Sequence, residues 1–364
     1  MDDKKTDWHA ILAPEERGDL QWHRNHMKVR DEWSAYFNPD VKRVLDVDLV
    51  RTLDHDNVVC CVRFSPDGKY IATGSNRSAQ IFDVQDGRKV CMFEIQGDGD
   101  DAQDKSALLF IRSLCFSPDG RYLVTCSPDK LVRIWDIATQ TIRHTLSGHE
   151  KDILCLDFAR DGKFIASGGE DKTVRIWDVE KGSHALTHTM KGEVICVAIS
   201  PDSQYVAAGC LDHNVYVFDV HSGILVEEIG GRFGGHGNAI YSVAFSPDGK
   251  NLISGSMDRT IRMWELSPPQ DGQSEALKGG KFVKMFVGHG DFVLSVTYTP
   301  DAEWILSGSR DRGVQLWDPN TGKFQFEIQG HMNSVLSIAV SPKGFHFVTG
   351  CGDGKARIWS YRPF

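Results

Sequence analysis

An all-β ring of seven four-stranded units, a seven-bladed β-propeller, is the fold this sequence predicts. Three observations carry it: a frame that returns about every 42 residues, a strand–turn–strand–turn–strand code inside each frame, and an aromatic residue closing each frame in the same slot. From residue 235 the chain reads GHGNAIYSVAFSPDGKNLISGSMDRTIRMWE, and the frame appears again as GHEKDILCLDFARDGKFIASGGEDKTVRIWD from 148, GHGDFVLSVTYTPDAEWILSGSRDRGVQLWD from 288 and GHMNSVLSIAVSPKGFHFVTGCGDGKARIWS from 330. Weaker copies start near Asp54, Phe110 and Glu193. The closing slots are Phe82, Trp135, Trp177, Phe218, Trp264, Trp317 and Trp359, so there are seven units.

Within a unit, SVAF and NLISG alternate apolar with small or polar residues at a period of two. SPDG between them is a tight-turn sequence. TIRMW is a third strand. A turn and a more polar run such as TIRHTLS or KFQFEIQ follow, suited to an outer edge. Radial repetition of such units leaves only short, protected strand edges. The last unit has only SYRPF after Trp359, too short for a fourth strand. Residues 44–53, VLDVDLVRTL, stand where a fourth strand would precede the first unit, so they are expected to complete the last blade and join the chain ends.

A His, a Ser or Thr, an Asp and a Trp recur at fixed offsets: His149, Ser167, Asp171, Trp177; His236, Ser254, Asp258, Trp264; His289, Ser307, Asp311, Trp317; His331, Thr349, Asp353, Trp359. His, Ser and Asp could be taken for a catalytic triad, but a catalytic site occurs once and this set returns in unit after unit. A buried hydrogen-bond network is the better reading, because indole N–H, hydroxyl, imidazole and carboxylate can satisfy one another. Units 1, 2 and 4 depart from it. Unit 2 has Thr125, Asp129 and Trp135 without GH, unit 4 has Ala208 and Phe218, and unit 1 has His55, Thr73, a shortened turn and Phe82. These three are expected to rely more on packing.

Composition agrees with an intracellular globular protein. Apolar residues are 41% and charged residues 25%, no apolar window reaches membrane-spanning length, and the first thirty residues hold no signal-peptide core. A net charge of −9 without a Lys/Arg run argues against direct DNA binding. Nine cysteines without C-x-x-C suggest buried free thiols in a reducing compartment. No P-loop, nucleophile-elbow or zincin motif is present, and GGRFGGHG at 230–237 precedes a strand, not a helix. No enzyme, cofactor or metal site is expected. Residues 1–43 do not repeat and form an arm. Helical composition from Asp19 to Phe37, after a Pro14-Glu15-Glu16 start, predicts it partly helical; the propeller occupies 44–364. Two inserts, 97–107 and 267–280, lie on different connections and should emerge from opposite faces.

The GH and WD pairs resemble the WD40 family over residues 44–364. The resemblance implies a closed ring that serves as an interaction platform and places the four recurring side chains in a buried network. DEWSAYFNPDVKRVLDVDLVRTLDHDNVVCCVRFSPDGKYIATGSN, Phe110-Ile111-Arg112-Ser113 after an insert, and SGSRDRGVQLWD are similar to the C-terminal domain of fungal Tup-type general transcriptional corepressors. That similarity implies a nuclear location, docking of sequence-specific DNA-binding repressors, a TPR-repeat corepressor subunit and histones as further partners, and a longer natural protein of which this chain is a fragment. A scaffold or substrate receptor of another intracellular complex, such as a ubiquitin ligase, is the alternative.

The docking surface is expected at the rim of the central channel, from residues at the start of each first strand and those just before the repeated Asp: Val58, Cys60, Phe110, Arg112, Asp152, Leu154, Glu170, Glu193, Ile195, Leu211, Tyr241, Met257, Phe292, Leu294, Arg310, Asn333 and Leu336. Much of this set is apolar, and an exposed apolar patch with scattered charge marks an interaction site.

Overall fold

The computed structural model describes residues 26–95, 109–230, 234–266 and 280–364. The strands form seven antiparallel sheets, one per sequence repeat. Blade 3 shows the pattern: Ile153–Phe158 innermost, then Phe164–Gly169, Thr173–Asp178 and the outer Ser183–Thr189. Inner strands are apolar on both faces because each is wedged between neighbouring blades; the outer strand alternates with water.

The buried aromatic slots lie between blades. Trp177, Trp264, Trp317 and Trp359 are at most 1% exposed, and each belongs to an apolar cluster that takes side chains from two adjacent blades. Nearer the axis a second tie runs round the ring. The Ser242, Ser295 and Ser337 hydroxyls accept the Val296, Ile338 and Val62 amides of the next blade at 3.0–3.1 Å. Cys61, Cys155 and Cys196 occupy the same position in their blades, where their thiols donate to backbone carbonyls. Eight of the nine cysteines are buried and all are unpaired.

Closure is as the sequence requires. Leu45–Asp54 pairs antiparallel with Lys355–Pro363, with Leu49 opposite Trp359, so blade 7 combines both ends of the propeller sequence. The arm differs from expectation. Residues 27–37 are not helical but form a β-hairpin, Met27–Val29 with Ser34–Phe37, whose second strand pairs with Phe324–Gln329 and extends blade 6 to six strands. Burial alternates as in a strand: Ala35 and Phe37 are buried, as is Trp33 just before the strand, while Ser34 and Tyr36 are half-buried. Trp33 lies edge-on to Trp359 at 5.5 Å, joining blade 6 to blade 7. The portion of the expected helix before residue 26, the whole insert 97–107 and the insert 267–280 except Gly280 lie outside the described residues.

The SPDG-type turns place a residue in the left-handed region. Glycine holds it in five blades, with φ from 70° to 76°, but blade 4 uses Ser203 at 62° and blade 6 uses Ala302 at 60°. Ala302→Gly relieves a left-handed strain of about 1–2 kcal/mol against an unfolded-chain entropy of about 0.4–1 kcal/mol. A small rise in the denaturation midpoint is therefore expected.

Candidate functional site: the upper face and the axial channel

The face that carries the repeated His and Asp turns is called the upper face here. In blade 3 the His149 ring reaches Asp171 Oδ2 through Nδ1 at 2.8 Å and Ser167 Oγ through Nε2 at 2.7 Å, while Trp177 Nε1 donates to the same hydroxyl at 2.8 Å. Blade 5 repeats this with His236, Asp258, Ser254 and Trp264. Blade 6 does so with His289, Asp311, Ser307 and Trp317. In blade 7 His331, Asp353, Thr349 and Trp359 take these places. Since indole only donates, the hydroxyl accepts from it and donates to Nε2, leaving a neutral imidazole whose Nδ1–H donates to the carboxylate.

Blades 2 and 4 do not fall back on packing alone. Arg133 grips Asp129 and Trp135 still donates to Thr125 in blade 2; in blade 4 the Tyr216 hydroxyl donates to Asp212 at 2.7 Å, and His188 stacks on Phe218 at 4.5 Å. Blade 1 joins His55 to Thr73 at 2.8 Å, but its imidazole Nδ1 turns to the Leu53 carbonyl.

Burial disfavours charge on the blade 3 and blade 7 imidazoles. It holds His149 and His331 below the usual histidine range against the pull of Asp171 and Asp353. Burial acts to raise the Asp258 carboxyl, but the hydrogen bonds from His236, Thr260 and the Gly237 amide outweigh it and hold the group well below the usual range. A histidine with a folded pKa below its unfolded value of about 6.5 binds its proton mainly in the unfolded chain. The associated stability is therefore full above that pH and falls as pH drops through it. The melting temperature is expected to fall between pH 7 and 5, and His331→Gln, less stable at pH 7, should show a shallower slope in that window. A flat profile in the parent would contradict the neutral-imidazole network.

His331, Cys351 and Asp353 bring three donor atoms within 4.8 Å of one another. The Cys351 thiol donates to the Asn333 carbonyl and accepts the Asp353 amide. Ser256 and Ser309 make the same two bonds in blades 5 and 6. Cys351 thus does the work of a turn serine.

Seven of the expected rim residues, one from each blade, converge on the mouth of an axial channel of about 730 Å³: Cys60, Arg112, Leu154, Ile195, Tyr241, Leu294 and Leu336. The other ten stand back from the channel wall. Val58, Phe110, Asp152, Glu193 and Phe292 precede the mouth residues by two. Glu170, Leu211 and Arg310 are joined to Asp152, Glu193 and Phe292 by backbone bonds of 2.9–3.0 Å, which places both groups on one face. Met257 is bonded in the same way to Ala239. Arg112, Leu211, Arg310 and Asn333 are exposed and the remaining thirteen are half-buried.

Asn333 is displaced by one position from the intended slot. Its side chain accepts the Ser334 amide at 2.7 Å, as Asn57, Asn238 and Asp291 accept the amide that follows each of them. Ser334 and Ala239 fill the equivalent rim positions that the sequence reading passed over. Deeper in the channel it also missed Arg63, Asp157 and Arg160. Arg63 and Asp157 lie three residues beyond the mouth slot on their strands and Arg160 six, in the turn that follows its strand, offsets that the alignment of repeats contains.

The fold and this recurrent network define a WD-repeat propeller. Seven matches to the family described as WD domain, G-beta repeat cover residues 47–83, 104–136, 140–178, 184–219, 228–265, 280–318 and 322–360, and the chain belongs to that family. It is 57% identical over 303 residues to "Transcriptional repressor rco-1" of Neurospora crassa, covering 83% of this chain and 49% of that protein. It is also 41% identical over 347 residues to "General transcriptional corepressor TUP1" of Saccharomyces cerevisiae, covering 81% and 49%, and 46% identical over 278 residues to "Transcriptional repressor tup12" of Schizosaccharomyces pombe, covering 76% and 45%. The chain spans about half the length of these relatives. No helix among the described residues is long and apolar enough to cross a membrane.

Proposed function

We propose that this chain is the interaction platform of a nuclear transcriptional corepressor and that DNA-bound, sequence-specific repressors dock on its upper face. The observation that carries this reading is the channel mouth: one side chain from each blade, mostly apolar, none buried. The names of the relatives supply the transcriptional context. A TPR-repeat subunit and histones belong to the same reading as partners of the whole corepressor.

Tyr241 and Leu294 at the mouth, with Leu211 and Phe110 behind it, are the proposed anchors; Leu211 is 37% exposed. Tyr241→Ala and Leu211→Asp are each expected to weaken repressor binding by at least about 2 kcal/mol, roughly thirty-fold. Melting should barely change because neither side chain is buried. Titration of the purified chain with repressor fragments checks this. Normal binding by both variants, with loss on substitution of the opposite face, would overturn the assignment.

A further inference from the structure

The channel wall is electrically one-sided. Blades 1, 2 and 3 contribute Arg63, Arg112 and Arg160 and a single carboxylate, Asp157, whereas blades 4 to 7 line the same space with no charged residue. Asp157 is tied to the wall by the Ile199 amide at 2.8 Å. Arg63 is half-buried and donates to the Val62 carbonyl at 3.3 Å. None of the three guanidiniums is ion-paired with a carboxylate among the described residues. In a chain of net charge −9, this leaves an excess of cationic groups facing the channel.

The three arginines stand at different depths. Arg112 is at the mouth, Arg63 is three residues beyond the mouth slot within Cys61–Phe64, and Arg160 stands in the turn two residues past the end of Ile153–Phe158. At about 3.3 Å per strand residue Arg63 stands roughly 10 Å below the mouth, and Arg160 lies beyond the far end of its blade's inner strand. Carboxylates spaced along an extended chain match such a ladder, and partial enclosure strengthens the attraction relative to open water.

We propose that the channel receives an extended acidic peptide segment. An apolar residue of the segment seats against Tyr241 and Leu294 at the mouth, and the carboxylates that follow it descend along Arg112, Arg63 and Arg160. The proposal rests on the upper-face docking reading and specifies the partner's chemistry: a short apolar motif followed by Asp or Glu, not by Lys or Arg.

The test uses the whole chain and three fluorescein-labelled peptides that share a Leu-Tyr start and continue with six residues, alternately Glu and Ser, Gln and Ser, or Lys and Ser. Anisotropy titrations should show the Glu peptide binding at least about ten-fold tighter than the Gln peptide, with the preference shrinking as salt rises. In Arg63→Gln/Arg112→Gln the Glu-to-Gln preference should fall toward one, and in Arg63→Lys/Arg112→Lys most of it should return. If the first pair of changes disturbs melting, Arg112→Gln/Arg160→Gln replaces it, since both side chains are exposed. Equal affinity for the Glu and Gln peptides in the parent, or a preference that survives neutralisation of the arginines, overturns the proposal. So does displacement of the Glu peptide by inorganic tripolyphosphate at equal potency, which would mark a small-anion site. Loss of all peptides in Tyr241→Ala without any charge preference in the parent would sink the acidic path and leave the docking reading standing. Unchanged affinity for every peptide in Tyr241→Ala would count against the docking reading itself.

Discussion

Removal of residues 1–53 is expected to abolish the cooperative fold. The deletion takes away all but the last residue of Leu45–Asp54, the outer strand of blade 7, and opens the backbone edge of the strand that carries Trp359. It also removes the hairpin that caps blade 6. Trp33, Phe37, Leu45, Val47 and Leu53 are all buried; at about 1.5–3 kcal/mol for each side chain, their loss amounts to roughly 8–15 kcal/mol. That is comparable with the whole stability of a typical domain, about 5–15 kcal/mol. The exposed edge adds a route to aggregation. Removing only residues 1–37 should give a milder result, a lower melting temperature with a single transition, because the closing strand remains. Sedimentation and thermal melts of both truncations decide the matter. A 54–364 chain that stays monomeric and melts like the parent would refute the closure argument.

Asp258→Ala should cost several kcal/mol without touching the channel. Asp258 Oδ2 accepts from the His236 ring at 2.8 Å and from the Gly237 amide at 3.0 Å, while Oδ1 accepts the Thr260 amide at 3.0 Å and its hydroxyl at 2.6 Å. Alanine leaves these donors without the acceptor. Each orphaned group that water cannot reach costs about 1–3 kcal/mol, and His236 is only 6% exposed. The denaturant midpoint should drop sharply, with Asp258→Asn intermediate because an amide retains one accepting oxygen. Unchanged stability combined with lost partner binding would instead make Asp258 a contact residue.

The arm shows where local sequence misleads. Asp19 to Phe37 has the composition of a helix, yet its described part is a hairpin because Ser34–Phe37 meets the open edge of Phe324–Gln329. Unmade backbone bonds on that edge outweigh a weak intrinsic helical preference. The same limit applies to blades 2 and 4. Arg133 and Tyr216 follow Asp129 and Asp212 by four residues, in the same chain-local turn. Their substitution for the missing histidine depends on both side chains folding back over that turn, which pairing by sequence offset does not reveal.

Repetition determined the ring on its own. Seven copies of one strand pattern, each ending in an aromatic residue, leave seven sheets packed side by side, and an unfilled fourth strand in the last repeat demands the N-terminal strand. The recurrent His, Ser or Thr, Asp and Trp were legible for the same reason, since each set lies within one blade at fixed separation. What the tertiary structure alone decided is which side chains of different blades meet. Cys60, Arg112, Leu154, Ile195, Tyr241, Leu294 and Leu336 are separated by 41 to 53 residues along the chain and share one channel mouth. Arg63, Arg112 and Arg160 become a ladder only when blades 1 to 3 are set around an axis. Period and spacing specify contacts within a repeat; the charge that a channel presents is the sum over seven repeats brought together by closure, and no single repeat contains it.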